Sequence, residues 1–376
     1  MSFWTKNILL EGDKTIWGVV LTLSLFSVLV VYSTAGWHFL FSHIVKLIIG
    51  LCAMYVVHKI KFKYFSKLGQ LSFLLSILLL VLVLIIGVSI NGASRWLNIV
   101  GLQFQPSDIA KLAILIYMAR QISINRDNLH IFKNLVWYVV SPLVLISLLI
   151  LPNNFSTSAL VFTNGLVLIF VAKIRLKFIV GIVLFAFLTS LAIYTTAKFT
   201  SIGTKIMPRS ATWVSRIDSF FIYNEGDEQS KDFQQIQALV AIQKGGISGL
   251  GPGKSTQRSI LPFSSSDFIY AIIIEEYGLL GGISVLLLYL ILMFRAIRIS
   301  LRTESMFGSL LSLGLMFSLV FQALINMLVA VEVMPVTGQT LPLISMGGTS
   351  IVFSCIAIGI VLSVSRDATD REYETA

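Results

Sequence analysis

Residues 15–34 read TIWGVVLTLSLFSVLVVYST, an apolar run that contains no charged side chain. A helix of this length spans the hydrocarbon core of a bilayer, which is roughly 30 Å thick. Further apolar blocks of similar length follow along the chain. Repeated segments of membrane length predict a polytopic membrane protein.

The composition excludes a water-soluble globule. The chain has 376 residues, of which 56% are hydrophobic and 12% are charged, whereas about a quarter of the residues in a soluble domain are charged. The formal net charge of +10 lies mostly between the apolar blocks. Charges in that position favour contacts with anionic lipid headgroups over binding of nucleic acid.

Cysteine and histidine usage argues against a disulfide framework and against a metal site. Cys52 and Cys355 both lie inside apolar blocks, which leaves no pair for a disulfide and no thiolate cluster for a metal. The four histidines lie in or beside loops at no ligand-like spacing: His38, His43, His58 and His130. We therefore predict no metal site.

Ten spans can be drawn, and all are predicted to be α-helices because the blocks lack the alternation of barrel strands. They cover residues 15–34, 43–58, 69–89, 107–122, 134–151, 156–172, 178–197, 267–294, 306–331 and 341–365. We interpret residues 1–376 as a single, all-α membrane domain. Lys and Arg cluster in the loops after the second, fourth, sixth and eighth spans, which predicts that both termini lie in the cytoplasm.

One connection, residues 198–266, is too long to be a simple link between spans. The same charge pattern predicts that it faces outward, as a large extracytoplasmic loop. Residues 234–261 within it predict an amphipathic helix followed by a glycine-rich turn. The run GLGPGKS at 249–255 is similar to a phosphate loop, but its first glycine is one residue too close and no strand precedes it, so we predict no ATP site.

Ionisable residues inside spans are the most informative feature of the composition, because a charge in lipid is costly. Apart from Arg120, which is grouped with the basic loop after the fourth span, six are found: Lys46, Asp108, Lys111, Asp267, Glu275 and Glu276. Each also has a purely structural interpretation. Asp108 and Lys111 lie three residues apart and can form a local ion pair. Asp267 follows Ser264 at capping-box spacing and can cap the eighth span.

Each of the two glutamates, Glu275 and Glu276, has more than one possible role. Glu275 lies eight residues after Asp267, about 12 Å along a helix axis and on roughly the same side, whereas Glu276 points nearly opposite. Either glutamate can act directly, or it can pair with Lys46 or Lys111 between packed helices. The residues alone leave these interpretations open.

Three pairs of motifs occur in order along nearly the whole chain. The first pair reads GASRWL at 92–97 and FQPSDIAK at 104–111; the second combines LP at 261–262 and SDFI at 266–269 with EEYG at 275–278; the third reads MPVTG at 334–338 and LPLISMGGTS at 341–350. This set resembles the signature of the SEDS proteins, the group of FtsW, RodA and SpoVE. Two segments depart from the family pattern. Residues 153–157 read NNFST where an acidic residue is usual, and Met346 stands where Tyr is common.

The resemblance implies a glycosyltransferase of the bacterial cytoplasmic membrane that polymerises lipid II into peptidoglycan strands at the outer face. It implies a class B penicillin-binding protein, a transpeptidase, as partner, together with other division or elongation proteins. It also implies that Asp267 matches the essential aspartate of the family, and that Arg95, Gln105 and Lys111 match a polar cluster near the same cavity. No cofactor is implied, and a divalent cation at the diphosphate stays open.

A sugar transfer from a lipid diphosphate requires a base for the acceptor hydroxyl and cations for the departing diphosphate. We assign the base role to Asp267 and diphosphate or sugar contacts to Arg95, Lys111 and Lys254, with Arg258 beside Lys254 in the glycine-rich turn. The remaining predicted substrate-binding residues are Gln105, Asp108, Glu275, Ser345 and Ser350.

The sequence favours one member of the family and leaves rivals. The run TLPL at 340–343 favours the division enzyme, whereas PVTG at 335–338 also occurs in elongation enzymes. A flippase for the lipid-linked precursor would place its charges near the bilayer midplane between two repeats, and no such duplication is visible. The third alternative is a scaffold without catalytic activity.

Overall fold

The structure is a computed structural model that describes residues 10–90, 93–99, 102–200, 209–221 and 233–375. Within these ranges it is a bundle of α-helices with one small sheet. The helices are α1 and α2, which are residues 14–35 and 37–59 of the continuous segment Lys14–Lys59, then α3 (Lys63–Ile86), α4 (Pro106–Ile124), α5 (Phe132–Ile150), α6 (Phe155–Val171), α7 (Leu176–Phe199), α8 (Ser210–Phe221), α9 (Phe233–Gly245), α10 (Ile269–Arg302), α11 (Met306–Ala330) and α12 (Ser350–Thr375). The strands are β1 (Val88–Ile90), β2 (Ala93–Ile99) and β3 (Leu102–Phe104).

The first two helices form an antiparallel hairpin. The break lies at Gly36, whose φ of 73° is readily adopted only by glycine. Trp17 and His58, far apart in sequence, have ring centroids 5.2 Å apart, and Ser27 Oγ lies 2.6 Å from Nε2 of His43. These contacts pair the start of α1 with the end of α2, so the single long segment supplies two spans.

The observed helices account for the ten predicted spans. Among the described residues, seven helices are long and apolar enough to cross a membrane, and the hairpin counts twice. The shorter apolar α6 and α4, which carries Asp108, Lys111 and Arg120, complete the set. The predicted helical membrane fold is confirmed.

Three details of the predicted spans are wrong. The helix of the tenth span, α12, starts at Ser350 and not at residue 341, because Pro342 and two consecutive glycines interrupt the segment between them. Val88–Ile90, which lies partly in the predicted third span, pairs with Ala93–Ile99 and Leu102–Phe104 in an antiparallel sheet of order β1-β2-β3. The eighth span is broken at Gly278, which divides α10 into residues 269–277 and 279–302.

A glycine-rich loop fills the break in α10. The backbone N–H groups of Leu250 and Gly251 donate to the carbonyl oxygens of Glu275 and Glu276 at 2.9 Å, and the N–H of Leu279 donates to the carbonyl oxygen of residue 246 at 2.9 Å. The loop thereby satisfies backbone groups that the interrupted helix leaves free, a requirement inside a bilayer.

The two ends of the bundle differ. Near the chain termini, the Asp13 carboxylate accepts from the N–H groups of Thr15 and Ile16 and caps α1, and the guanidinium of Arg295 donates to Asp13 at 2.7 Å. Arg366, near the other terminus, pairs with Glu11 at this same end. The sheet, the first turn of α4 and the loop before α10 lie at the opposite end, where they surround a cleft.

Candidate active site

A cleft of about 1800 Å³, counted to its open mouth, lies at the end of the bundle opposite the chain termini. We call it the Asp267 cavity. Its charged and polar lining comes from β2, α8, α11, the starts of α4, α6 and α12, and the loops before α10 and α12: Arg95, Gln105, Asp108, Lys111, Asn154, Arg209, Arg216, Asp267, Gln322 and Ser350, among others. Four cationic and two anionic side chains in this set leave a net charge of +2.

Asp267 is held in the cavity wall by its backbone. Asn326 on α11 donates to the carbonyl oxygen of Asp267 at 2.7 Å. The hydroxyl of Ser345 donates to the carbonyl oxygen of Ser266 at 2.6 Å, and the N–H of Met346 donates to that of Ser265 at 2.9 Å. These bonds leave the carboxyl group directed into the cavity rather than used for packing.

The capping interpretation of Asp267 is wrong. Helix α10 begins at Ile269, its N-cap position is Phe268, and no side chain caps it. The hydroxyl of Ser264 instead donates to the carbonyl oxygen of Arg258 at 2.9 Å. The carboxyl of Asp267 therefore has no structural capping role.

Burial raises the pKa of Asp267 above its ordinary value. A hydrogen bond from Ser266 and the positive charges of Arg216 and Arg95 oppose this rise. Burial also lowers the pKa of Arg95 to about 10, helped by repulsion from Arg209 and Arg216 and opposed by Asp267. Arg95 thus stays charged at neutral pH, and the raised pKa of Asp267 makes its carboxylate a stronger base than that of an exposed aspartate.

Lys111 and Asp108 lie on the other side of the cavity. The ammonium of Lys111 is 3.2 Å from Asp108, so the predicted local ion pair is present. The same ammonium donates to Oε1 of Gln322 at 2.9 Å, and the amide of Gln322 donates to the carbonyl oxygen of Thr340 at 2.9 Å. Because both ions also line the cavity, pairing fixes the position of Lys111 without removing it from the site.

Two arginines that sequence analysis left unassigned belong to this site. Arg209 precedes α8 and Arg216 lies within it, and both line the cavity. Nε of Arg95 and the guanidinium of Arg209 each donate to the carbonyl oxygen of Asn153 at 2.8 Å, and Arg216 donates to that of Val336 at 3.0 Å. In a loop that the charge pattern predicts to face outward, arginines run against the positive-inside trend, and that signal could have identified them.

The structure separates three predicted substrate-binding residues from the cavity. Lys254 is exposed on the glycine-rich loop and does not line it. Ser345 is buried and supports the backbone before Asp267. Glu275 is buried and accepts hydrogen bonds from residues 255–257, including the N–H of Thr256 at 2.9 Å. Burial and these bonds account for why neither of the last two is free for substrate.

The predicted partners of the glutamates are also different from those found. Among the described contacts, neither Glu275 nor Glu276 pairs with Lys46 or Lys111. Glu276 accepts from the hydroxyl of Ser33 at the end of α1 and from the N–H of Ser255 at 3.4 Å. Both carboxylates thus anchor the loop that fills the helix break.

Asn154, at the departure from the family pattern, caps α6. Its side-chain oxygen accepts from the N–H of Thr157 at 3.2 Å. An amide at this position keeps a helix cap without adding a negative charge beside Arg95 and Arg209. The amide of Asn154 therefore leaves the net positive charge of the cavity unchanged.

The fold and the site together define a multi-pass helical membrane protein with a polar, positively charged cavity around one partly buried aspartate. The family model of the FtsW, RodA and SpoVE cell cycle proteins matches residues 7–370. The chain belongs to this family.

Relatives and solved structures agree with this placement. The chain is 30% identical over 373 residues to a probable peptidoglycan glycosyltransferase FtsW of Trichlorobacter lovleyi, covering 95% of this chain and 94% of the relative. It is 32% identical over 325 residues to the stage V sporulation protein E of Bacillus subtilis, covering 85% and 84%.

A solved structure of a peptidoglycan synthase complex, concerned with the coordination of polymerization and crosslinking, matches with a TM-score of 0.76 and 26% identity, covering 95% of this chain and 98% of that chain. The rod shape determining protein RodA of Thermus thermophilus shares the fold, with a TM-score of 0.66 and 23% identity over 95% of this chain and 97% of that one.

Proposed function

We propose that this protein is a peptidoglycan glycosyltransferase that polymerises lipid II at the outer face of the cytoplasmic membrane, in cell division. The observation that carries the proposal is the carboxyl of Asp267, which is directed into a cavity beside Arg95 and Arg216. Membership of the family and the names of its relatives support the same activity.

The proposed reaction needs only groups that line the cavity. An acceptor hydroxyl oxygen attacks the anomeric carbon of the donor sugar, and the bond from that carbon to the diphosphate oxygen breaks. The electron pair leaves with the diphosphate, which guanidinium groups stabilise. Asp267 takes the proton of the attacking hydroxyl, and burial makes its carboxylate a stronger base than an exposed aspartate. No nucleotide is required, because the diphosphate is the leaving group.

Substrate contacts are assigned according to the side of the cavity. We propose that Arg95, Arg209 and Arg216 bind the departing diphosphate, since guanidinium forks suit phosphate oxygens. Lys111, held by Asp108, faces the acceptor. The other predicted residues that line the cavity, Gln105 and Ser350, contact sugar or phosphate oxygens from the wall formed by α4 and α12.

The topology and the partner belong to this proposal as well. Basic loops at the end of the bundle that carries both termini favour a cytoplasmic position for the termini, so the cavity and residues 198–266 face outward. A class B penicillin-binding protein is the proposed partner, supported by the similarity to a complex that joins polymerization with crosslinking.

Polymerisation of lipid II by the purified protein tests the function. We expect glycan strands from the unchanged chain, with and without its penicillin-binding partner, and none from Asp267→Asn. Asp218→Asn is the matched control, because Asp218 pairs with Lys198 and does not line the Asp267 cavity. Transbilayer movement of lipid II without polymer would favour a flippase, and inactivity in both assays a scaffold.

The division role has a separate test in cells. A fluorescent fusion of the full chain should concentrate at the septum. Localisation along the side wall would instead assign the protein to elongation.

A further inference from the structure

A second, mainly apolar pocket lies beside the Asp267 cavity. It is formed by α6, α8, α11 and the segment around residues 334–337, and it encloses about 1000 Å³ including its opening. We call it the apolar pocket. Its apolar wall is formed by Phe155, Ala159, Leu160, Trp213, Phe321 and Ile325.

The two spaces share a cationic boundary. Arg95, Arg209 and Arg216 line both the apolar pocket and the Asp267 cavity. The Asn153 carbonyl oxygen holds Arg95 and Arg209 from one side. A ligand that crosses this boundary meets guanidinium groups at its middle and apolar side chains at one end.

The apolar pocket runs along α6, away from the arginines, and is open at Ala159. From Phe155 to Thr163, both of which line it, the helix descends about 12 Å. Ala159, midway, is exposed and has the smallest side chain of this wall. The pocket is therefore an apolar groove with the arginines at one end.

We infer that the apolar pocket binds the proximal isoprenoid units of a polyprenyl diphosphate whose diphosphate lies on Arg95, Arg209 and Arg216. This inference rests on the proposed function and assigns the apolar pocket to the donor, the substrate whose diphosphate departs. Charge complementarity selects the ligand, because three guanidinium groups match a diphosphate better than the single charge of a phosphodiester lipid. An apolar chain directly beside that charge matches the wall of α6 and α11.

Binding of short ligands to the purified full chain tests the inference without requiring turnover. Inorganic diphosphate, farnesol and farnesyl diphosphate are compared. Farnesyl diphosphate should bind more than about tenfold tighter than either of the others, because it alone occupies both the arginines and the apolar pocket. Equal affinity for farnesyl and inorganic diphosphate would overturn the inference.

A variant that fills the pocket sharpens the test. Ala159→Phe should remove the advantage of farnesyl diphosphate and leave the affinity for inorganic diphosphate unchanged. The matched control is Leu188→Phe on α7, which is 54% exposed and lies outside the pocket lining; it should bind both ligands as the unchanged chain does. A folded Ala159→Phe protein that keeps the farnesyl advantage contradicts the proposal.

Photolabelling of the unchanged chain tests the inference even if Ala159→Phe does not fold. Farnesyl diphosphate with a photoreactive group on its second isoprene unit should label peptides of α6 and α11. Labelling confined to α7 or α3, or displacement by phosphatidylglycerol at equal concentration, would overturn the assignment. If the protein polymerises lipid II but does not bind farnesyl diphosphate in the apolar pocket, only this inference is wrong. If the protein does not polymerise lipid II, the proposed function is wrong.

Discussion

Nδ2 of Asn326 donates to the carbonyl oxygen of Asp267 at 2.7 Å. The same amide nitrogen donates to the carbonyl oxygen of Gln339 at 2.7 Å. Asn326 is almost fully buried on α11, so one side chain joins the segment before α10 to the loop before α12. The backbone that carries Asp267, the proposed base, is therefore held by a helix distant in sequence.

Asn326→Leu should lower turnover more than it lowers substrate affinity. Leucine has a similar volume but leaves two buried carbonyl oxygens without this donor, at a cost of about 1–3 kcal/mol in the free energy of unfolding. Kinetics and thermal melts check the prediction. Asn164→Leu is the control, because Asn164 donates to Ser318 and does not line the cavity. It should lose comparable stability but keep its activity per folded molecule.

The pH profile should report the environment of Asp267. Because the pKa of this carboxyl is raised, the acidic limb of the rate profile should lie above the ordinary range of an aspartate. Arg216→Gln removes a charge that lowers this pKa, so it should move the limb to still higher pH. A limb that stays in place in this variant would show that another group controls it.

The same group affects stability with a defined sign. The folded state holds the proton of Asp267 more tightly than the unfolded chain, because its pKa is raised by burial. The contribution to stability is present below the unfolded pKa and is lost as the pH rises through the folded one. Asp267→Asn should flatten this part of the stability curve, measured by thermal unfolding as the pH rises from the ordinary range of an aspartate toward neutrality.

Loss of one boundary arginine should weaken donor binding. Arg209→Gln removes a charged hydrogen-bond donor, and charge-assisted bonds contribute about 1.5–3 kcal/mol, so we expect KM to rise roughly ten- to a hundredfold. Arg258→Gln is the control, because Arg258 donates to the carbonyl oxygen of Ser33 outside the cavity. Equal effects of the two substitutions would indicate a general electrostatic effect on lipid binding.

We expect that Gly278, at the break in α10, cannot be replaced by a residue with a side chain. A Cβ at Gly278 would lie 2.1 Å from the carbonyl oxygen of Ile247, and the φ of 70° is unfavourable for alanine. Gly253→Ala is the control, since Gly253 has a φ of 75° with no atom within 4 Å. It should cost only the left-handed backbone term of about 1–2 kcal/mol. Gly278→Ala should unfold at a clearly lower temperature in detergent.

Asn154 tests the departure from the family pattern. Asn154→Asp keeps a side-chain acceptor for the helix cap but adds a carboxylate beside the boundary arginines, so it should preserve stability and weaken diphosphate binding. Asn154→Ala should lose about 1 kcal/mol of stability and keep the affinity. Thermal melts and inorganic diphosphate titration separate the two effects, and unchanged affinity in the aspartate variant would contradict the charge argument.

Much of the fold is determined locally. Apolar length alone predicts the spans, because any segment long enough to cross a bilayer must satisfy its own backbone in a helix. Asp108, Lys111 and Asp267 stand out for a similar reason, since a charge in an apolar block is costly. Motifs then predict that Arg95 and Gln105 join them, and the cavity contains all five.

Only the tertiary structure decides which polar groups face the cavity. Glu275 is as unusual in an apolar block as Asp267. Its carboxylate nevertheless accepts hydrogen bonds from residues 255–257, because a loop from elsewhere in the chain enters the break in α10. Arg209 and Arg216 are unusual only as positive charges in a predicted outward loop, and that signal does not show that they reach the cavity. Their role depends on α8 packing over the cavity, a contact between segments that no local pattern encodes.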